Sequence, residues 1–159
     1  MIKFIVYIFE GAKYLYGRLF VKNLICRLGK YEYSDISYPI SVKSPENLYI
    51  GKNVKIGPMC IFGAFEKISI GEGSRISSNC IIETASLDLS KLHFGSHRGK
   101  EIFIGKNVWI GTGSVILGGT SIGDNSFISA GSIVSVSIPA DSIYKNNIIK
   151  TRNYEKVGI

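Results

Sequence analysis

Histidine, cysteine and tryptophan are scarce in this chain: two, three and one among 159 residues. Three cysteines cannot all pair, so the composition points to reduced, packed thiols in a cytosolic setting rather than to a disulfide framework. Long apolar runs are missing as well. Residues 1–30 are dense in isoleucine, phenylalanine, tyrosine and leucine, yet no stretch reaches the roughly 20 residues of a membrane span, and no small-residue cleavage site follows a clean apolar segment. The sequence therefore predicts neither a span nor a signal peptide. Nothing in the length or composition calls for a second domain.

What the chain has instead is a beat of six. Ile104, Ile110, Ile116, Ile122, Ile128 and Val134 follow one another at that spacing, with Val108, Ser114, Thr120, Ser126 and Ser132 four places after successive beats and Ile138 as the bulky exception. A helix repeats at 3.6 and a half-buried strand at 2, so the period belongs to a hexapeptide solenoid. Three hexapeptides close one triangular coil, and coils stack at roughly 4.8 Å, the spacing between strands. The beat also runs through Ile50, Ile56 and Phe62, and through Ile70, Ile76 and Ile82, with Val54, Cys60, Ser74 and Cys80 at the small positions. Stacking predicts one interior column of Ile56, Ile76, Ile110 and Ile128 and another of Cys60, Cys80, Ser114 and Ser132. Inward-facing Cys60 and Cys80 lack further ligands there, which argues against a metal site. Glycine follows Ile50, Ile56, Ile70, Ile104, Ile110 and Ile122, where corners with unusual φ/ψ are expected, and Asn or Asp shares that role in 51–53, 105–107 and 123–125.

The register breaks twice. Two extra residues between Phe62 and Ile70 predict a small bulge around Ala64 to Lys67. After Ile82 the next beat is due at 88 but arrives at Ile104, which predicts a protruding loop over 88–103. Both histidines, His93 and His97, lie in that excursion.

Residues 1–30 are of another kind. Lys3, Lys13, Arg18, Lys22, Arg27 and Lys30 stand against Glu10, so this segment holds +5 of the formal +7. It is expected to form a basic amphipathic helix, with two readings open: peripheral contact with an anionic inner membrane face, or packing against the first coil or a neighbouring subunit. No recognised motif supports nucleic-acid binding. The organisation expected is a helical segment at 1–30, the solenoid at 31–140 and a basic tail at 141–159.

Ile104-Gly-Lys-Asn-Val-Trp-Ile-Gly-Thr-Gly-Ser-Val-Ile-Leu-Gly-Gly, Ile122-Gly-Asp-Asn, Ser129-Ala-Gly-Ser-Ile-Val and Ile138-Pro139 resemble the hexapeptide-repeat acyltransferases. Among these the resemblance is to bacterial O-acetyltransferases of polysaccharides and small sugars, kin to maltose, galactoside and serine acetyltransferases. It implies an all-β, left-handed parallel β-helix, a homotrimer, and acetyl-CoA as acyl donor in a groove between adjacent prisms; the thiols and the basic segment 1–30 add the expectation of a cytoplasmic protein at or near the inner membrane face, and the chemistry requires no metal. It also implies a role in capsule, O-antigen or exopolysaccharide synthesis, on a sugar or polysaccharide acceptor.

Such an enzyme needs a neutral imidazole to take the proton of a sugar hydroxyl and a fixed donor for the oxyanion. In maltose-type relatives the histidine stands in a Thr-x-x-His-Pro context, but the matching residues here are Thr84, Ala85, Ser86, Leu87 and Asp88. Other relatives carry it shortly before the chain re-enters the helix. His97-Arg98-Gly99-Lys100-Glu101 is similar to that arrangement and favours His97 as base, with His93 orienting it or binding the acceptor. The resemblance further assigns the backbone amide of Thr112 to the oxyanion and Trp109, expected to point outward, to the acyl or acceptor pocket. It assigns Gly111, Ser129, Ala130 and Gly131 to the pantetheine arm, and Lys150 and Arg152 to phosphates. The family's Val-Thr-Lys-Asp-Ile-Pro is here Val134-Ser-Val-Ser-Ile-Pro139, and its Gly-Asn-Pro turn is Lys145-Asn146-Asn147.

Three alternatives remain on the sequence. An N-acetyltransferase acting on an amino sugar needs less help from a base. A non-catalytic β-helix scaffold at the membrane surface would tolerate the missing histidine. A three-histidine zinc enzyme of this fold would need a metal site shared between subunits, which the histidine count disfavours.

Overall fold

The computed structural model describes residues 35–88 and 97–152. The expected helix of residues 1–30, His93 and the end of the basic tail lie outside the described residues. The rest is a left-handed parallel β-helix with three flat faces.

Each face is a stack of short parallel strands, one per coil. Asp35–Ile36, Lys55–Ile56, Arg75–Ile76, Trp109–Ile110, Phe127–Ile128 and Ser142–Lys145 build the first face, closed by the antiparallel Ile148–Thr151. Ile40–Lys43, Cys60–Gly63, Ile81–Glu83, Val115–Leu117 and Ile133–Val134 build the second. Leu48–Ile50, Ile68–Ile70, Ile102–Ile104 and Ser121–Ile122 build the third.

The register explains the beat. Ile56 pairs with Ile76, Ile76 with Ile110 and Ile110 with Ile128, so the expected aliphatic column exists, and each member is at most 1% exposed. In the small column Cys60 and Cys80 are buried, and the Ser114 hydroxyl donates to the Gly111 and Ser129 carbonyls at 2.8 and 3.1 Å. A strand on a flat face alternates in and out, which is why every second residue at Leu48, Ile50, Ile68, Ile70, Ile102 and Ile104 is buried.

The corners differ from expectation in an instructive way. The glycines after the beat residues, such as Gly71, have ordinary φ; the left-handed residue comes two positions later, at Asn53, Gly73, Asn107, Gly113 and Asn125, with φ between 53° and 71°. What Gly71 supplies is room, because a Cβ there would stand 2.5 Å from the Gly105 carbonyl carbon and oxygen of the next coil. Asparagine tolerates the left-handed position, and its side chain links coils: Asn107 Nδ2 donates to Asn125 Oδ1 at 3.4 Å and Asn125 Nδ2 to Asp141 Oδ1 at 3.2 Å.

The long excursion starts earlier and ends earlier than the beat places it. The chain leaves the coil after Thr84 and returns at Lys100, whose N–H donates to the Thr84 carbonyl at 3.1 Å. Ala85–Leu87 and His97–Gly99 pair as an antiparallel ribbon, while Ile102–Ile104 is already coil strand on Ile68–Ile70. The bulge at Ala64 to Lys67 lies directly beneath. Asn47 Nδ2 holds its carbonyls at Ala64 and Phe65 at 3.0 and 3.1 Å, and Glu66 N–H donates to Thr84 Oγ1 at 2.9 Å. The two breaks in the beat are therefore one feature, a bulge supporting a ribbon.

Candidate active site

The ribbon decides where His97 stands. Its register pairs Gly99 with Ala85, Arg98 with Ser86 and His97 with Leu87. Counting outward from the bond between Lys100 and Thr84, hydrogen-bonded and non-bonded pairs alternate, so His97 and Leu87 form a non-bonded pair, the kind with the closer side chains. Both project to one side of the ribbon. On that side a Cβ at Gly99 would meet Phe65 and Glu66, and the Phe65 ring lies 6.3 Å from the imidazole, tilted by 51°. His97 is exposed. Arg98, on the other side, comes within 3.8 Å of Asp88.

Thr112 occupies a different corner, where the first face turns into the second. Its N–H has no acceptor among the described residues, its carbonyl accepts from Gly131 N–H at 2.8 Å, and the residue is exposed. Gly111 sits tightly under Ala130, with 2.5 Å from its ideal Cβ to the Ala130 nitrogen, whereas Gly113 and Gly131 border open space. Thr112, Ala130 and Gly131 are thus exposed together at this corner, with Ser129 half-buried beside them and Gly111 buried beneath Ala130. Within one chain this stretch is remote from the ribbon. Six residue steps along the second face lead from Thr112 to Gly118 at the base of the ribbon, and at roughly 3.3 Å per step that is about 20 Å.

Trp109 points outward as expected, 48% exposed. Its indole N–H donates to Ser77 Oγ at 3.1 Å, the Arg75 guanidinium lies 5.4 Å from its ring centroid, and Phe127 meets it edge-on at 5.4 Å. Below it an open groove of about 320 Å³ follows the same corner as Thr112, lined by Asp35, Ser37, Lys55, Arg75, Ser77 and Ser78 among others, with Thr112 at its upper end. Trp109 flanks this groove by way of Arg75 and Ser77 and is not part of its lining.

The two tail cations do not reach this corner. Lys150 pairs with Ile143 in the closing strand, and Arg152 lies at the opposite end of the first face, its N–H donating to Asp141 and its guanidinium to the Asn125 carbonyl at 3.4 Å. The cation beside Ser129 is Lys145, which continues the pairing of Ile143 with Phe127 and Tyr144 with Ile128. Sequence reasoning passed over it as part of an altered turn; parallel pairing of Tyr144 with Ile128 is the signal that places it.

Residues 101–135 match the family described as bacterial transferase hexapeptide (six repeats). Within that stretch the six-residue beat and the family description coincide. In sequence the chain is 30% identical over 128 residues to the galactoside O-acetyltransferase of Escherichia coli K12, covering 77% of this chain and 61% of that one. In structure the hexapeptide solenoid is similar to a maltose O-acetyltransferase from Clostridium difficile 630, with a TM-score of 0.68, 28% identity and coverage of 86% and 84%. It is also similar to a hexapeptide-repeat acetyltransferase from Vibrio cholerae O1 biovar eltor in complex with acetyl-CoA, with a TM-score of 0.67, 25% identity and coverage of 74% and 67%. The chain spans about half the length of several curated relatives it matches, 54% of each of two and 47% of a third.

Proposed function

We propose that this protein is an acetyl-CoA-dependent O-acetyltransferase acting on a sugar hydroxyl, with His97 as general base. The observation that carries the reading is the pairing of His97 with Leu87. Leu87 stands where maltose-type relatives would have their histidine, and His97 brings an imidazole to the same patch from the opposite strand. The chemistry then needs no other group in that place.

In the step itself the imidazole of His97 takes the proton of the acceptor hydroxyl as its oxygen attacks the thioester carbonyl. The tetrahedral oxyanion accepts a hydrogen bond from the unpaired Thr112 N–H, a donor fixed by the coil corner. When the carbon–sulfur bond breaks, the imidazolium returns the proton to the departing thiolate, giving the acetyl ester and free CoA. The small-residue corner at Gly111, Ser129, Ala130 and Gly131 suits the narrow pantetheine arm, and Lys145 rather than Lys150 or Arg152 is the cation placed to meet its phosphates.

Since about 20 Å of the second face separates Thr112 from the base of the ribbon in one chain, the site we propose combines two copies, the ribbon of one beside the corner of the next. Support for self-association comes from the outside of the second face. Exposed Ile61, Ile81 and Ile133, with half-buried Val115 between the last two, form a continuous outward aliphatic ladder across four coils, with exposed Met59 and Leu117 beside it. An apolar stripe of that length is unusual on a free surface. A homotrimer is the assembly proposed.

The reading is tested by complementation. His97→Ala and Ala130→Trp chains are each expected to be inactive alone in a thiol-release assay with acetyl-CoA and sugar acceptors. Co-refolded, they should regain a substantial part of wild-type activity, because some sites then combine an intact ribbon with an intact corner. Mixtures no more active than the separate variants would contradict a shared site.

A further inference from the structure

We infer that the acceptor carries a phosphate, held by Lys55 and Arg75 in the groove below Thr112. The inference rests on the acetyltransferase reading and names the class of its acceptor: a sugar phosphate, free or as part of a nucleotide- or lipid-linked sugar. The corner shared by the first and second faces changes character at Thr112. Above it, Ala130 and Gly131 are small and exposed, with Lys145 the cation beside Ser129. Below it, the groove is lined by two cations, a carboxylate and hydroxyls. A donor lying on the upper stretch leaves the lower one to the acceptor, and the two meet at the Thr112 N–H.

Lys55 and Arg75 are direct partners in neighbouring coils, so their Cα atoms are roughly 4.8 Å apart and both side chains leave the same side of the face. Arg75 is held by the Trp109 ring, and Ser77 Oγ, by accepting the indole N–H, holds the ring. The result is a pre-set guanidinium fork beside a mobile ammonium point charge, a pair suited to a tetrahedral dianion. Asp35 sits one coil lower, paired with Lys55, at the far end from Thr112, where its carboxylate accepts from ligand hydroxyls. Ser37, Ser77, Ser78 and Thr112 add hydroxyls along the groove. Its volume of about 320 Å³ falls at the small end of ligand sites, the scale of a monosaccharide phosphate. A neutral sugar would offer neither cation an anionic group.

Trp109 is the only tryptophan of the chain, so its emission reports on this groove without turnover. Glucose, galactose and N-acetylglucosamine would be titrated into the full-length protein beside their 1-phosphates, with inorganic phosphate as a further ligand and acetyl-CoA binding followed separately by calorimetry. The expected result is saturable change of Trp109 emission with at least one sugar phosphate at a concentration tenfold or more below its parent sugar and below inorganic phosphate. The Lys55→Gln/Arg75→Gln chain should lose that preference while its affinity for acetyl-CoA stays within twofold of wild type. Equal response to sugars and sugar phosphates would overturn the inference, as would a response to inorganic phosphate as strong as to any sugar phosphate. So would a tenfold loss of acetyl-CoA affinity in the double variant, which would give the two cations to the donor. Absence of acetyl-CoA binding to wild type refutes the acetyltransferase reading separately, because the emission titration does not depend on it.

Discussion

His97 stands directly across the antiparallel ribbon from Leu87, in a non-bonded pair that turns both side chains to one side. A histidine at either position would present its imidazole on the same side of the hairpin, so the two are exchangeable by mutation. His97→Ala is predicted to lower kcat by roughly 10²- to 10⁴-fold, the range for loss of a general base. Adding Leu87→His to that variant should restore at least tenfold, measured as CoA release. Full activity in His97→Ala would remove the base assignment, and loss of turnover in His93→Ala alone would transfer it.

The outer ladder of Ile61, Ile81, Val115 and Ile133 yields a second prediction. Ile133→Lys alters a side chain 59% exposed in the single chain, so the fold should survive, with a thermal midpoint near that of wild type. The assembly should not: light scattering after size exclusion is expected to show a single chain where wild type shows a trimer, with activity lost in parallel. A trimeric and active Ile133→Lys protein would place the subunit contact elsewhere.

Glycine plays two distinct parts here, and stability separates them. Gly71→Ala forces a Cβ to within 2.5 Å of the Gly105 backbone, which must shift, so a loss of about 2 kcal/mol or more is expected, within the range of overpacked cores. At Gly113 a Cβ meets open space and the cost is only that of φ +70°, about 1 kcal/mol. Thermal or urea unfolding of the two variants should rank them in that order.

The stacked thiols are expected to be chemically silent in the folded protein. Hydrogen bonding with the Cys80 sulfur, with burial adding to it, pushes the Cys60 thiol up, while Cys80, receiving that bond, is drawn down. Reactivity follows access as much as thiolate character, and the two residues are 1% and 0% exposed. A thiol reagent should therefore modify neither until the protein unfolds. Cys80→Ser is predicted to cost under about 1 kcal/mol, since a hydroxyl can donate to the same Gly111 carbonyl that Cys80 Sγ reaches at 3.3 Å, as Ser114 does from the coil above.

Much of this architecture was readable before any coordinates. A strict beat leaves no freedom in stacking, because parallel pairing of identical coils puts each beat residue over the last, as Ile76 over Ile56 and Ile110 over Ile76. The corner residues were read with the right amino acids and the wrong division of labour. Sequence cannot separate a glycine needed for φ, as at Gly73, from one needed for room, as at Gly71, since both present the same missing Cβ. The excursion was visible as a break, but spacing counts residues and does not pair them. Only the ribbon register joins His97 to Leu87, and only the stacking of bulge on ribbon brings Phe65 beside the histidine. The resemblance assigns Arg152 to phosphates, and in the single chain its guanidinium donates to the Asn125 carbonyl beside the closing strand. Lys145 gained its place for the same reason, through pairing of distant segments.

The most direct measurement is titration calorimetry of acetyl-CoA into the purified full-length protein. The account predicts saturable binding at about one site per chain, weakened by Ala130→Trp at the small-residue corner and unchanged by His97→Ala. No heat of binding at millimolar acetyl-CoA would contradict it and leave a hexapeptide solenoid without a donor.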